Sequence, residues 1–310
     1  MVSAALKLES YPAVSRGERR TEILLRDVAL SFASGKGKAK AVLSSLNLEI
    51  AAGEFVVVLG ETGCGKSTLL RLILGEEFPS GGSVVVDGKS VTRIDSRCGY
   101  VPQKYSLFPD KTVLENVMYG PENAKSSLLG RWRPAFRRYR RDLRDEARAY
   151  LERMGLHKQD LHKYPHQLSG GMQQRVAIAQ ALLMKPPVLL MDEAFSALDP
   201  STRASLQEQL HAVWNESRPT IVFVTHNTQE ALLMGTRLVL LRRLKEDSQE
   251  RSSVLLDLEI PTARLPFAAR RRSTEFQELH DHVSEMAHRS SSMRDCEADA
   301  SPVESEGVLQ

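Results

Sequence analysis

The chain has 310 residues, 26% charged and 42% hydrophobic, with a formal net charge of +3. This length holds one large α/β domain with an appendage or two modest domains, and so small a charge gives no argument for a nucleic-acid partner. Three irregularly spaced cysteines, Cys64, Cys98 and Cys296, exclude a disulfide framework and suit a reducing compartment.

Residues 1 to 20 lack periodicity and a signal-peptide core, and are expected to form an irregular leader. No apolar run approaches the roughly 18 residues that span a bilayer. The chain is therefore expected to stay in the cytosol unless a partner holds it at a membrane. "EILLRDVAL" and "LNLEI" are β-branched runs separated by "SGKGKAK", which suggests an exposed hairpin-like loop. "EFVVVLG", ending at Gly60, is a continuous apolar run and predicts a strand buried on both faces, leading into a glycine loop and the helix "STLLRLILG". "GSVVVDGKSV" predicts a strand with a turn at Asp87-Gly88. From Lys104 to Leu168 the pattern is helical and charged. "VLLMDE" and "TIVFVTH" predict two more short buried strands, each followed by helical sequence. Alternating strands and helices imply a mostly parallel sheet covered on both faces. After about Leu244, "KEDSQERSS" is a polar break, "SVLLDLEI" predicts a strand and "STEFQELHDHVSEMAH" an amphipathic helix. Residues 289–310 are rich in Ser, Asp and Glu, and a disordered tail is expected.

Gly60, Gly65, Lys66 and Ser67 fit the spacing of a phosphate loop between strand and helix. Backbone N–H groups there would curl around a β-phosphate, Lys66 would reach the β and γ oxygens, and Ser67 could ligate Mg²⁺. In "VLLMDE", Asp192 ends an apolar strand beside that metal position, and Glu193 could polarise an attacking water. A pair of solvated turn carboxylates is the plainer reading of those two. His226 ends another buried strand, at the edge where open parallel sheets bind ligands, or is simply a structural histidine. In "LSGGMQQRVAIAQALL", Ser169 is a good N-cap and Ala177, Ala179 and Ala181 suggest close helix packing. By itself this is a second anion-binding helix start or an ordinary capped helix.

Together, "GETGCGKST", "YVPQ", "LSGGMQQR", "VLLMDE", "SALD" and "VTHN" occur in the order of the ATP-binding subunit of ABC transporters, and the resemblance covers roughly Arg20 to Arg243. It implies a P-loop NTPase fold: a mostly parallel sheet core with an antiparallel β subdomain and a helical subdomain at about 104–176. The catalytic domain would occupy 21–244, with a C-terminal extension at 245–288. Phe32 would stack on adenine, although a strand aromatic in the core could mimic that position. Gly60, Glu61, Thr62, Gly63, Cys64, Gly65, Lys66, Ser67 and Thr68 would hold the nucleotide. Ser67, Asp192 and Gln103 would serve Mg²⁺. Glu193 would be the general base and His226 would contact the γ-phosphate. Ser169, Gly170, Gly171 and Gln173 would close over the nucleotide of a second subunit in a head-to-tail dimer, and Asp199 would link the two sites.

The finer resemblance is to the nitrate, sulfonate and taurine importer group, on "FSALDPSTRASLQEQLHAVW" and "TIVFVTHNTQEALLMGTRLVLL". It implies an ATPase powering import of a small anion or sulfonate-type solute. Partners would be a second copy or homologous ATPase subunit, a separate membrane permease and, indirectly, a solute-binding protein. The expected place is the cytoplasmic face of the inner membrane, with no nucleic acid. The alternatives are an exporter subunit and a soluble switch acting on ribosomes or DNA, the latter disfavoured by a single motif set and no long heptad run. Ala194, Asn227 and Glu61-Thr62 depart from the family's usual proline, aspartate and proline-serine. The basic segment Gly130 to Arg148 is either a solvated helical face whose arginines pair with Asp142, Asp145 and Glu146, or a patch facing anionic headgroups or a membrane partner's loop.

Overall fold

The structure is a computed structural model that describes residues 20–33, 39–94, 96–104, 107–125, 134–244 and 252–292. The leader, most of the hairpin loop at 34–38, the polar break at 245–251, the first residues of the basic segment and the tail beyond 292 lie outside the described residues.

Two sheets share one chain because two kinds of strand alternate early in it. β1 (Thr21–Ala33) pairs antiparallel with β2 (Ala39–Ala51) and with β4 (Gly81–Val86), and β4 turns through Asp87-Gly88 into β5 (Lys89–Ser90). Both turn residues have positive φ, 50° and 70°, as a tight hairpin requires. The second sheet has six strands and contains β3 (Phe55–Gly60), β6 (Cys98–Val101), β7 (Val188–Asp192), β8 (Thr220–Thr225), β9 (Arg237–Leu241) and β10 (Val254–Glu259), in the order β10-β9-β3-β8-β7-β6. Every pair is parallel except β10 against β9. Every residue of β3, β7, β8 and β9 is buried, so these strands carry no polar alternation.

The pleat divides the apolar residues of the central sheet between two cores. Val56 and Val58 face the antiparallel sheet and the helix α1 (Lys66–Leu74), together with Leu190, Val222 and Val239. Phe55, Val57 and Leu59 face the opposite way, with Met191, Phe223 and Leu238. That second core is covered by α2 (Val113–Lys125), α3 (Pro134–Arg153), α4 (Gly170–Leu183), α5 (Pro200–Ser217) and α6 (Thr228–Met234).

The C-terminal extension shares this core. Leu258 and Ile260, at and just beyond the end of β10, join it with Phe276, Leu279 and Val283 of the last helix. A short helix α7 (Phe267–Arg270) precedes that last helix, α8 (Thr274–Ser292), which runs four residues into the segment expected to be disordered. Buried Arg237 makes a bidentate pair with Asp257, both contacts at 2.7 Å, and also donates to Glu49 O at 2.7 Å. Strands of both sheets are thereby clipped to the extension.

The basic helix α3 keeps only part of one expected pattern. Arg148 lies 3.6 Å from Asp145, while Glu146 is taken by Lys185. Arg140 reaches back to Glu122 on α2 at 2.7 Å. Arg137, Arg138, Arg141 and Arg144 are exposed and make no ion pair among the described residues. Spacing along a helix permits such pairs, but rotamer freedom and water compete with them at an exposed face. No helix among the described residues is long and apolar enough to cross a membrane.

Candidate functional site

The C-terminal ends of β3, β7 and β8 lie side by side, and the residues that follow them form one ledge at the sheet edge. After β3 the chain turns sharply. A methyl group on Gly60 would sit 2.6 Å from Cys64 Sγ and 2.7 Å from Leu241 O, so only glycine fits there. Gly65 stands at the start of α1 with φ 100°, a conformation that a side chain would strain. Lys66 is 5% exposed, and its ammonium donates to Gly60 O and Glu61 O, both at 2.8 Å. Two of its three N–H donors thus hold the loop closed. Cys64 is buried beneath the loop, and burial pushes its thiol up. Thr62 and Gly63 are exposed, and Glu61 and Thr68 are half-buried.

Asp192 ends β7, and Ser67 Oγ donates to its Oδ1 at 3.1 Å. Tyr100 OH donates to the other oxygen at 3.5 Å. Burial raises the Asp192 pKa, with the Ser67 hydrogen bond opposing it and the neighbouring Glu193 charge adding to it. Tyr100 itself is pushed up to about 12 by burial and then by Asp192. A hydroxyl and a carboxylate so arranged are the hard oxygen donors that suit Mg²⁺.

Glu193 has φ 44°, a conformation uncommon for a residue with a side chain. Its N–H is fixed by Val224 O at 3.0 Å. Gln103 Nε2 donates to its Oε2 at 3.0 Å, and His226 Nδ1 lies 3.2 Å from its Oε1. Gln103 is therefore seated on Glu193 rather than on the Ser67–Asp192 pair. His226 follows β8 with its side chain exposed, and Asn227 caps α6 by accepting from Glu230 N at 2.9 Å. Aspartate would cap equally well, which accounts physically for asparagine at this departure. Ala194 is buried against the helical core.

Phe32 is 42% exposed near the end of β1, opposite Lys40, so it is not a core aromatic. Asp199 caps α5, accepting from the Ser201 hydroxyl at 2.7 Å and from Thr202 N at 3.0 Å. Those donors, the Ser201 hydroxyl first, hold its carboxyl well below the usual carboxylate range. Ser169 caps α4 by accepting from Met172 N at 3.3 Å, and both Ser169 and Gly170 are exposed. Gly171 abuts Thr202, where a methyl group would come within 2.7 Å of the threonine methyl. Gln173 turns back to donate to Pro165 O at 2.9 Å and Leu168 O at 3.3 Å. Ser67 is thus joined to Asp192, Gln103 and His226 to Glu193, and Lys66 to the glycine loop, while Ser169 and Gly170 stand exposed at the start of α4. Tyr100 was not assigned from the sequence, and its place in "YVPQ", beside Gln103, was the available signal.

The ABC transporter family profile matches residues 43–196. The chain is 41% identical over 276 residues to the aliphatic sulfonates import ATP-binding protein of Burkholderia cenocepacia, covering 88% of this chain and 76% of that one. It is 34% identical over 261 residues to the protein of the same name in Bacillus cereus, covering 84% and 94%. Among solved structures it resembles a dimeric ATP-binding cassette in a post-hydrolysis state bound to ADP and Pi, with TM-score 0.63 and 31% identity over 77% of this chain and 98% of that one.

Proposed function

The chain belongs to the ABC transporter family, and from that premise we propose that it is the ATP-hydrolysing subunit of an importer for aliphatic sulfonates or a similar small anion. The observation that carries this reading is the convergence of Lys66, Ser67, Asp192, Gln103, Glu193 and His226 on one sheet edge. The glycine loop and the start of α1 would receive the polyphosphate of ATP, with Lys66 turning from its two carbonyls to the phosphate oxygens. Phe32 is exposed and available to stack on adenine.

Ser67 and Asp192 would hold Mg²⁺, which when bound supplies Lewis-acid polarisation of phosphate oxygens. Glu193 takes the proton of the attacking water, and Gln103 and His226 orient its two oxygens for that task. His226 also offers a donor to the developing charge on the γ-phosphate. Ser169 and Gly170, exposed at the start of α4, would with Gly171 complete the site of a second copy or homologous subunit, and Gln173 shapes their loop. Asp199, which sets the start of α5, would carry contact between the two sites. Closure of that dimer drives a separate membrane permease, fed by a solute-binding protein, from the cytoplasmic face of the membrane.

The test is Glu193→Gln, which keeps the shape and removes the base. Steady-state ATP hydrolysis should fall by at least about 100-fold while ATP binding is retained. Unimpaired hydrolysis by this variant would remove Glu193 from the chemistry.

A further inference from the structure

The helix after His226 carries a buried carboxylate that the hydrolysis chemistry does not use. Glu230 is the third residue of α6 and is 7% exposed. Both of its oxygens are engaged: Thr225 Oγ1 donates to Oε2 at 2.6 Å, and Gln207 Nε2 donates to Oε1 at 2.8 Å. The Thr225 hydroxyl also accepts from Asn227 N at 3.1 Å, and Asn227 Oδ1 accepts from Glu230 N at 2.9 Å. These contacts close a ring around the turn Thr225–Asn227. His226 is the middle residue of that turn, and its side chain leaves the ring to meet Glu193 at 3.2 Å.

An ordinary capping box would satisfy the same helix start with less. There the glutamate reaches straight to the N-cap N–H. Here the Thr225 hydroxyl is interposed, and the other oxygen of Glu230 is tied to Gln207, a buried residue of α5. Burying a carboxylate costs free energy, and a cap alone does not require it, because Asn227 already caps α6. What the arrangement adds is a fixed distance between α5, the end of β8 and the turn that bears the imidazole. The C-terminal extension braces the same helix: Arg270 Nη1 donates to Leu233 O at 2.6 Å, in the last turn of α6.

We propose that Glu230 is a positioning residue for His226, holding the Thr225–Asn227 turn through the Thr225 hydroxyl and Gln207 so that the imidazole stays on Glu193. This rests on the roles given to His226 and Glu193 above. The ring is built from neutral donors into one carboxylate, so an amide in its place puts an N–H where one of those donors now points, and either the Thr225 hydroxyl or the Gln207 amide has to turn.

The test uses Glu230→Gln, with Thr225→Val and Thr225→Ser as a second pair that removes and restores the hydroxyl. Single-turnover hydrolysis of ATP with Mg²⁺ and binding of a non-hydrolysable ATP analogue are measured for each in the full chain, with His226 intact and in a His226→Ala background. With His226 intact, Glu230→Gln and Thr225→Val should each slow hydrolysis by roughly tenfold, with analogue binding changed by less than about twofold and Thr225→Ser close to the unaltered rate. In the His226→Ala background these losses should vanish, because no imidazole remains to be placed. Full rates in Glu230→Gln and Thr225→Val would overturn the proposal, as would a tenfold loss that persists without His226. Should Glu230→Gln not fold, the threonine pair decides alone. Failure of the underlying reading has a separate mark: His226→Ala itself would hydrolyse ATP at the unaltered rate.

Discussion

The ledge at the sheet edge and the turn at Ser169–Gly171 are both places where a helix start could meet phosphate, and they are built differently. In the ledge, Lys66 holds the glycine loop at 2.8 Å, Ser67 holds Asp192 at 3.1 Å, and Gln103 and His226 meet Glu193 at 3.0 and 3.2 Å. At the turn, Ser169 caps its own helix, and Gln173 braces the loop behind it. The first region is organised before any ligand arrives. The second leaves Ser169 and Gly170 exposed at a helix start, and the role proposed for them requires another molecule to bring the phosphate.

The comparison can be broken most sharply at Lys66. Lys66→Ala should weaken ATP binding by about 100-fold or more, read by titration calorimetry, since a charged donor to polyphosphate is lost. Ser169→Arg should leave that affinity unchanged and still reduce turnover by about 50-fold, because an added cation obstructs the approach of a second subunit. If instead Ser169→Arg weakened binding by isolated subunits as Lys66→Ala does, the two regions would serve one nucleotide within one chain.

Acid probes the brace behind the ledge. His211, on α5, packs against Phe267 of the extension with ring centroids 4.7 Å apart and the planes tilted by 39°. Burial first, then the nearby Arg270 and Arg218 charges, lower its pKa from 6.5 to about 4. Above pH 6.5 the imidazole is neutral in both the folded and unfolded chain. Between pH 6.5 and about 4 only the unfolded chain takes up the proton, so stability falls as pH falls. The loss should reach about 3 kcal/mol near pH 4, and His211→Phe should abolish that component in denaturant melts across this window.

The two helix caps give the smallest and finest contrast. Asn227→Ala and Ser169→Ala should each cost about 1 kcal/mol of stability. Only Asn227→Ala should disturb the monomer's ledge, visible as altered NMR shifts for the His226 ring. Equal disturbance of that ring by Ser169→Ala would join the two regions.

Much of the ledge was legible because its residues sit at fixed offsets from strand ends. The apolar run before Gly60, the one before Asp192 and the one before His226 each announce a buried strand, and the chemistry follows at once in the last two and after the glycine loop, at Lys66 and Ser67, in the first. Tyr100 was not legible, since its contact with Asp192 depends on β6 lying beside β7, a pairing between segments about ninety residues apart. Glu230 was hidden for a similar reason: the spacing Asn227 to Glu230 reads as a capping box, and nothing local reveals Gln207 waiting on another helix. The strand β10 and the helix α8 were readable as elements. Their membership in the main core was not, because the β9–β10 pairing crosses a polar break with no periodicity of its own. The pairing of α3 arginines along their own helix was legible only as a possibility, and most of those side chains remain exposed.

The central claim is that the site is divided between two chains. Sedimentation of Glu193→Gln with ATP and Mg²⁺, alone and combined with Ser169→Arg, tests it most directly. The account predicts an ATP-dependent dimer for the single variant and a monomer that still binds ATP for the double variant. Dimerisation to the same extent by both, or none by either, would contradict it.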